Sequence, residues 1–181
     1  MEPRTYCKTF TLKNGTKITL RAIRADDAER VRRAFSELDP RSIYTRFFSA
    51  KTALTNAELK DVTEIDFDRA VALVAVLEAD PDVIIGGGRY VRLRGPKDVQ
   101  AEVAFTVEED YQGLGLASLI LRVLVETARR SSVKTFVAEV LPSNTAMLHV
   151  FRNSGLPETA HLAEGVMHIA LDLTQDELTA E

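Results

Sequence analysis

Residues 108–118 read Glu108-Glu109-Asp110-Tyr111-Gln112-Gly113-Leu114-Gly115-Leu116-Ala117-Ser118, with two glycines where an apolar pattern of helical period begins. From Gln112 to about Ser131, Leu116, Leu119, Ile120, Val123, Leu124 and Thr127 share one helical face. Just upstream, Ala101-Glu102-Val103-Ala104-Phe105-Thr106-Val107 alternates as a strand. A strand, a glycine turn and a helix start form a ready anion site. The first N–H groups of a helix lack internal partners, and its dipole adds positive potential there. Gly113 and Gly115 carry no Cβ, so a phosphate can come close, while Leu114 and Leu116 point into the core. The same glycines also suit a tight turn with no ligand, and spacing alone leaves both readings open.

The flanking segments supply the rest of a sheet. Lys134 to Val140 reads as a further strand, and Asn144 to Ser154 as a helix capped by Ser143 or Asn144 and stopped at Gly155. Strands around Thr159–Leu162 and Val166–Leu171 follow. On the other side, the apolar run 70–77 predicts a strand buried on both faces, and Asp80-Pro81-Asp82 a turn. Residues 83–93 predict a strand containing Gly86-Gly87-Gly88, which marks a bulge or a close backbone approach, and Gly95-Pro96 a turn. Near the N-terminus, two alternating runs around Asn14-Gly15 predict a hairpin. A helix follows, capped at Asp26 or Asp27, with Ala28, Val31, Ala34, Phe35 and Leu38 on one face, and Pro40 stops it. The arginine- and aromatic-rich stretch 41–50 reads as short helix and loop able to line a cleft, and 55–65 as another helix.

This order predicts an α+β domain with one mixed, mostly antiparallel sheet flanked by about four helices. Residues 1–173 form the domain and 174–181 a loose tail. The single parallel unit joins 101–107 to 134–140 through a helix. With 181 residues, 45% apolar and 28% charged, the chain is long enough for a substantial core. A net charge of -4 argues against general binding to nucleic acid or anionic membranes and leaves a cationic partner acceptable. Cys7 is the only cysteine, so no internal disulfide forms, and no apolar run is long enough for a signal peptide or a membrane span. A cytoplasmic protein is expected. The spacings G-x-x-x-x-G-K-[ST] and G-x-G-x-x-G opening a helix are missing.

Gln112-Gly113-Leu114-Gly115-Leu116-Ala117 resembles the Q/R-x-x-G-x-G/A signature of the GNAT superfamily of acyl-CoA-dependent N-acyltransferases. Residues 139–156, Glu139-Val140-Leu141-Pro142-Ser143-Asn144 through Gly155-Leu156, resemble that superfamily's next strand and helix. The resemblance runs from Arg21-Ala22-Ile23-Arg24 to Leu171. Arg41-Ser42-Ile43-Tyr44-Thr45-Arg46-Phe47-Phe48, Ile65-Asp66-Phe67-Asp68-Arg69 and the strand at 101–107 are similar, more narrowly, to bacterial Pat-type protein lysine acetyltransferases.

The resemblance implies a sheet splayed between 101–107 and 134–140, with the thioester in the gap. It implies that acetyl-CoA is the co-substrate, its pyrophosphate on Gln112, Gly113, Leu114, Gly115, Leu116, Ala117 and Ser118. Pantetheine would run along Phe105, Thr106 and Val107, with Asn144 as a further contact, although helix capping also explains Asn144. An N–H near Phe105 would stabilise the oxyanion. No metal is implied, and His161 and His168 read as isolated. The acceptor amine must lose a proton, and at a lysine pKa of about 10.4 well under about one percent is nucleophilic at neutral pH. Glu102 is the base the Pat-type resemblance implies, while strand periodicity alone also allows a solvated glutamate; Glu139 is the second choice. Where many relatives carry a general-acid tyrosine, this chain has Phe151, with Tyr111 and His149 as other possible donors. The expected partner is a protein lysine. The alternatives are a small amine, such as a polyamine, amino acid or antibiotic, and a non-catalytic acyl-CoA sensor. Oligomeric state is not readable from the sequence.

Overall fold

The computed structural model describes residues 2–94 and 99–175, with Thr45 as backbone only. Asn14 and Gly15 turn the chain between β1 (Cys7–Thr11) and β2 (Lys17–Ala22), Gly15 at φ +87 and the Asn14 side chain accepting from the Thr16 N–H at 3.0 Å. The sheet continues through β3 (Ala70–Leu77), β4 (Ile84–Arg92), β5 (Gln100–Val107), β6 (Thr135–Val140), β7 (Glu158–Ala163) and β8 (Val166–Asp172). Among the described residues it has eight strands in the order β1-β2-β3-β4-β5-β6-β8-β7, and only β5 and β6 are parallel. The α+β class and the mainly antiparallel sheet therefore stand. The predicted turn at Gly95-Pro96 and the tail beyond Gln175 lie outside the described residues.

Five α-helices are described: α1 (Ala28–Glu37), α2 (Pro40–Phe47), α3 (Asn56–Thr63), α4 (Leu116–Arg130) and α5 (Thr145–Arg152). Pro40 is a correction to the sequence reading: it opens α2 as well as following α1. Its missing N–H costs nothing in a first turn, and the Asp39 side chain caps the helix by accepting from the Arg41 N–H at 2.8 Å. Asp27, one of the two cap candidates, does stand at the N-cap position of α1. It makes no side-chain cap to α1 and instead pairs, fully buried, with Arg21 of β2.

The sheet carries an apolar layer on each face. On one face α4 buries Leu116, Ile120 and Leu124 against Leu73, Tyr90, Val103 and Phe105. Burial of each such side chain is worth about 1.5–3 kcal/mol. On the other, α1 and α3 pack Val31, Ala34 and Val62 onto Ala72, Val74 and Ile84. The three glycines of β4 do both things anticipated for them. The register with β3 slips between Ala75 and Val76, so Gly86 faces Ala75 while Ile84 faces Val76. A Cβ on Gly88 would lie 2.6 Å from Ile120 Cγ2 and 2.7 Å from Phe105 Cδ1, so its absence lets α4 settle on the sheet.

Candidate active site

Pairing between β5 and β6 is limited to Gln100↔Thr135, Ala101↔Phe136 and Glu102↔Val137. Beyond Glu102 the strands part, while β5 stays paired with β4 through Val107. A cleft of about 1120 Å³ opens along this parting, bounded by β5, β6, the 112–118 turn and the first turns of α5. Among the described residues no other strand lies between β5 and β6, so the space stays open where they diverge.

At one end of the cleft the chain leaves β5 through Glu109–Tyr111 and enters α4 over the glycine turn. Gly113 has φ +72 and Gly115, the residue before α4, has φ +89. An added Cβ would meet nothing within 4 Å at Gly113 and only Lys13 Cε at 3.6 Å at Gly115, so conformation rather than space requires glycine. Leu119 N–H donates to Gly115 O at 3.0 Å, which leaves the N–H groups of Leu116, Ala117 and Ser118 without intrahelical partners. The Gln112 side chain donates to Val107 O at 3.0 Å and ties the turn to the end of β5.

Phe105, Thr106, Val107, Gln112, Gly113, Gly115, Leu116, Ala117, Ser118 and Asn144 all border this cleft. Leu114 does not; it is half-buried against the core, and its carbonyl accepts from the Lys13 N–H at 3.4 Å. Asn144 Oδ1 accepts from the Met147 N–H at 3.2 Å, so it caps α5 while standing in the cleft wall. Glu102 is exposed at the mouth of the parting, on the face of β5 that carries Ala104 and Thr106. Glu139 also borders the cleft, with Oε1 3.6 Å from His168 Nδ1. The two histidines are not isolated, contrary to the sequence reading: they pair across β7 and β8 and stack with centroids 5.1 Å apart. Among the described residues, no cluster of three or more His, Cys, Asp or Glu is arranged to hold a metal ion.

Phe151 is buried and packs on Phe105 with ring centroids 5.9 Å apart, presenting carbon to the cleft. Tyr111 and His149 both border the cleft. Sequence reasoning missed Lys13, and although it read the 41–50 stretch as able to line a cleft it did not single out Arg46. Lys13, from the β1–β2 turn, reaches the glycine turn, and no local pattern links segments about a hundred positions apart. Arg46 of α2 lies in the cleft wall, and its only forewarning was the arginine-aromatic mixture of 41–48. Of the acidic triplet, Glu109 Oε1 accepts from the Asp39 N–H at 3.1 Å and Asp110 is exposed. Glu108 borders an adjoining, largely apolar cavity of about 390 Å³ under α1 and α3. Burial raises its carboxyl pKa, with Asp110, Glu109 and Glu37 adding to the shift and an Asp110 N–H hydrogen bond opposing it.

A splayed β5–β6 pair, with a glycine turn leading into the next helix, is the architecture of N-acyltransferases that hold their donor in a sheet gap. Residues 17–157 match the family model for the acetyltransferase (GNAT) domain, and the chain belongs to that family of N-acetyltransferases. It is 30% identical to acetyltransferase PA5475 of Pseudomonas aeruginosa over 76% of this chain and 73% of that protein. It is 33% identical to acetyltransferase Pat of Mycolicibacterium smegmatis over 80% of this chain, but that match spans only 42% of the relative. Among solved structures it superposes on the GNAT domain of S. lividans PAT with a TM-score of 0.83 and 32% identity, covering 92% of this chain and 96% of that one. No helix among the described residues is long and apolar enough to cross a membrane.

Proposed function

We propose that this protein transfers the acetyl group of acetyl-CoA to lysine side chains of other proteins, with Glu102 as general base. The observation that carries the reading is the end of β5–β6 pairing at Glu102↔Val137, which leaves a carboxylate at the point where the cleft opens. In this reading the CoA pyrophosphate rests on the free N–H groups of Leu116 to Ser118, with Lys13 adding positive charge beside the turn. Pantetheine runs along the edge of β5 beyond Glu102, which β6 no longer pairs. An N–H of β5 near Phe105 stabilises the oxyanion of the tetrahedral intermediate.

The acceptor nitrogen gives its proton to the Glu102 carboxylate, directly or through one water, and attacks the thioester carbon. The C–S bond then breaks, CoA leaves as a thiolate, and the new amide nitrogen releases its second proton to water. With a thiol pKa of about 8.5, the thiolate leaves without a proton donor, consistent with a hydrocarbon side chain at Phe151. Resemblance to Pat-type enzymes supports a protein lysine as acceptor, and the exposed free thiol of Cys7 suits a reducing cytoplasm.

Two results are expected. Incubation with acetyl-CoA and candidate lysine-rich proteins will acetylate a subset of lysines, read by mass spectrometry. Acetylation of free polyamines or antibiotics with no protein acetylation would replace this acceptor by the small-amine one. Gly115→Ala will strain the entry to α4 by about 1–2 kcal/mol, because an L side chain resists its φ of +89. Thermal denaturation will show that loss, and titration calorimetry will show weaker acetyl-CoA binding. Unchanged affinity in the folded variant would remove the phosphate from this turn.

A further inference from the structure

The largely apolar cavity beneath α1 and α3 shares Arg46, Phe47 and the Ala104–Thr106 stretch of β5 with the acetyl-donor cleft. Arg46 stands in the common wall. Its guanidinium packs over Phe47, with Cζ 5.0 Å from the ring centroid, and donates no hydrogen bond to a described residue. Arg89 of β4, opposite Ala104 in the register, lines the same cavity and likewise donates to no described residue. Of the acids that line it, Glu58, Asp61 and Glu108, none forms an ion pair or hydrogen bond with either arginine among the described residues. Glu58 is taken by Lys51 at 2.7 Å and by the Thr55 hydroxyl at 2.9 Å, and the groups acting on Glu108 are other acids.

Two arginines lining a largely apolar cavity beside the cleft are costly without an anion. Burial depresses the Arg46 pKa to about 10, with Arg89 pushing the same way and Glu102 opposing. A carboxylate offers two oxygens to the planar fork of an arginine and relieves the repulsion between the pair. Aliphatic carbons linking such a carboxylate to the reaction centre would lie against Val74, Ala104 and Phe47.

The geometry points to a carboxylate-binding subsite formed by Arg46 and Arg89 beside Glu102, filled by a carboxylate that the substrate itself carries. The carboxylate comes either from the far end of a dicarboxylic acyl chain or from the acceptor next to its reactive amine. The inference rests on the acyltransferase reading above.

Two arms separate the sources. Calorimetric titration compares succinyl-CoA with butyryl-CoA, a neutral chain of equal carbon count, and requires no turnover. Steady-state kinetics with acetyl-CoA compares lysine peptides flanked by Glu with the same peptides flanked by Gln. One arm should show about a tenfold preference for the carboxylate. Arg46→Met and Arg89→Met should abolish it, and Arg46→Lys should keep part of it. Binding of both acyl-CoAs with no preference in either arm would overturn the subsite alone. Equal weakening of charged and neutral substrates by the Met variants would make the arginines structural and overturn it too. If no acyl-CoA binds at all, the acyltransferase reading falls and the subsite with it.

Discussion

Glu102→Gln is expected to lower kcat by about 10²–10⁴-fold while leaving acetyl-CoA affinity within a few-fold of the native value. The amide keeps the shape and exposure of the side chain at the cleft mouth but cannot accept the amine proton. The deficit should depend on pH in a diagnostic way. Without the base, only the neutral fraction of the acceptor lysine reacts, and that fraction grows about tenfold per pH unit until the lysine pKa of about 10.4. The variant's rate should therefore climb steeply with pH, and its gap from the native enzyme should narrow. Stopped-assay rates across pH 6–10 (about four units, enough to see a slope of one) measure this. Equal turnover with an identical profile would remove Glu102 from proton transfer and return attention to Glu139, on the opposite bank of the same cleft.

The architecture was legible wherever periodicity was strong. The alternation of 101–107, the apolar face of 116–128 and the Asn14-Gly15 turn each appear in the structure close to where their patterns put them. Strand order was not legible. That β8 rather than β7 lies beside β6 is set by tertiary pairing, and both strands of a hairpin have the same local signature. Segment 40–47 resisted for a related reason: Pro40 reads as a stop from one side and as a start from the other, and only the Asp39 cap decides. The His161–His168 stack depends on cross-strand register, which a spacing of seven positions in the chain does not reveal. The outward position of Glu102 on its strand and the glycine turn were legible from alternation and spacing within single elements, whereas a base role for Glu102 came only from the family resemblance. The Arg46–Arg89 pair was invisible because it is formed by α2 and β4, whose facing sides are fixed only when α2 lies over the sheet.

Asp27→Ala is expected to destabilise the fold by about 3–5 kcal/mol, lowering Tm by on the order of 10 °C, although Asp27 is remote from the cleft. The carboxylate is fully buried and receives two 2.7 Å hydrogen bonds from Arg21, with the Arg24 N–H at 2.8 Å and Arg30 at 3.4 Å. Truncation would leave the buried Arg21 guanidinium facing a void, and that uncompensated charge is the larger part of the cost. Burial by itself would raise the Asp27 pKa, but the Arg21 and Arg24 hydrogen bonds and the nearby positive charges outweigh it and hold the value low. The depressed folded pKa fixes the sign of the linkage: the contribution is present above the unfolded value of about 3.9 and is lost as pH falls through the lower folded one. Native protein should therefore lose stability in acid within that window, whereas Asp27→Ala should show a shallower dependence there. Chemical denaturation at pH 7 and at pH 3 (about one unit below the unfolded pKa) measures both effects. The double variant Asp27→Ala/Arg21→Met separates charge from packing, because removing both partners leaves no buried ion. Recovery of more than about half the lost stability would assign the cost to the stranded guanidinium. No recovery would assign it to the tie between β2 and the start of α1, which holds α1 in its packed position over Ala72 and Val74.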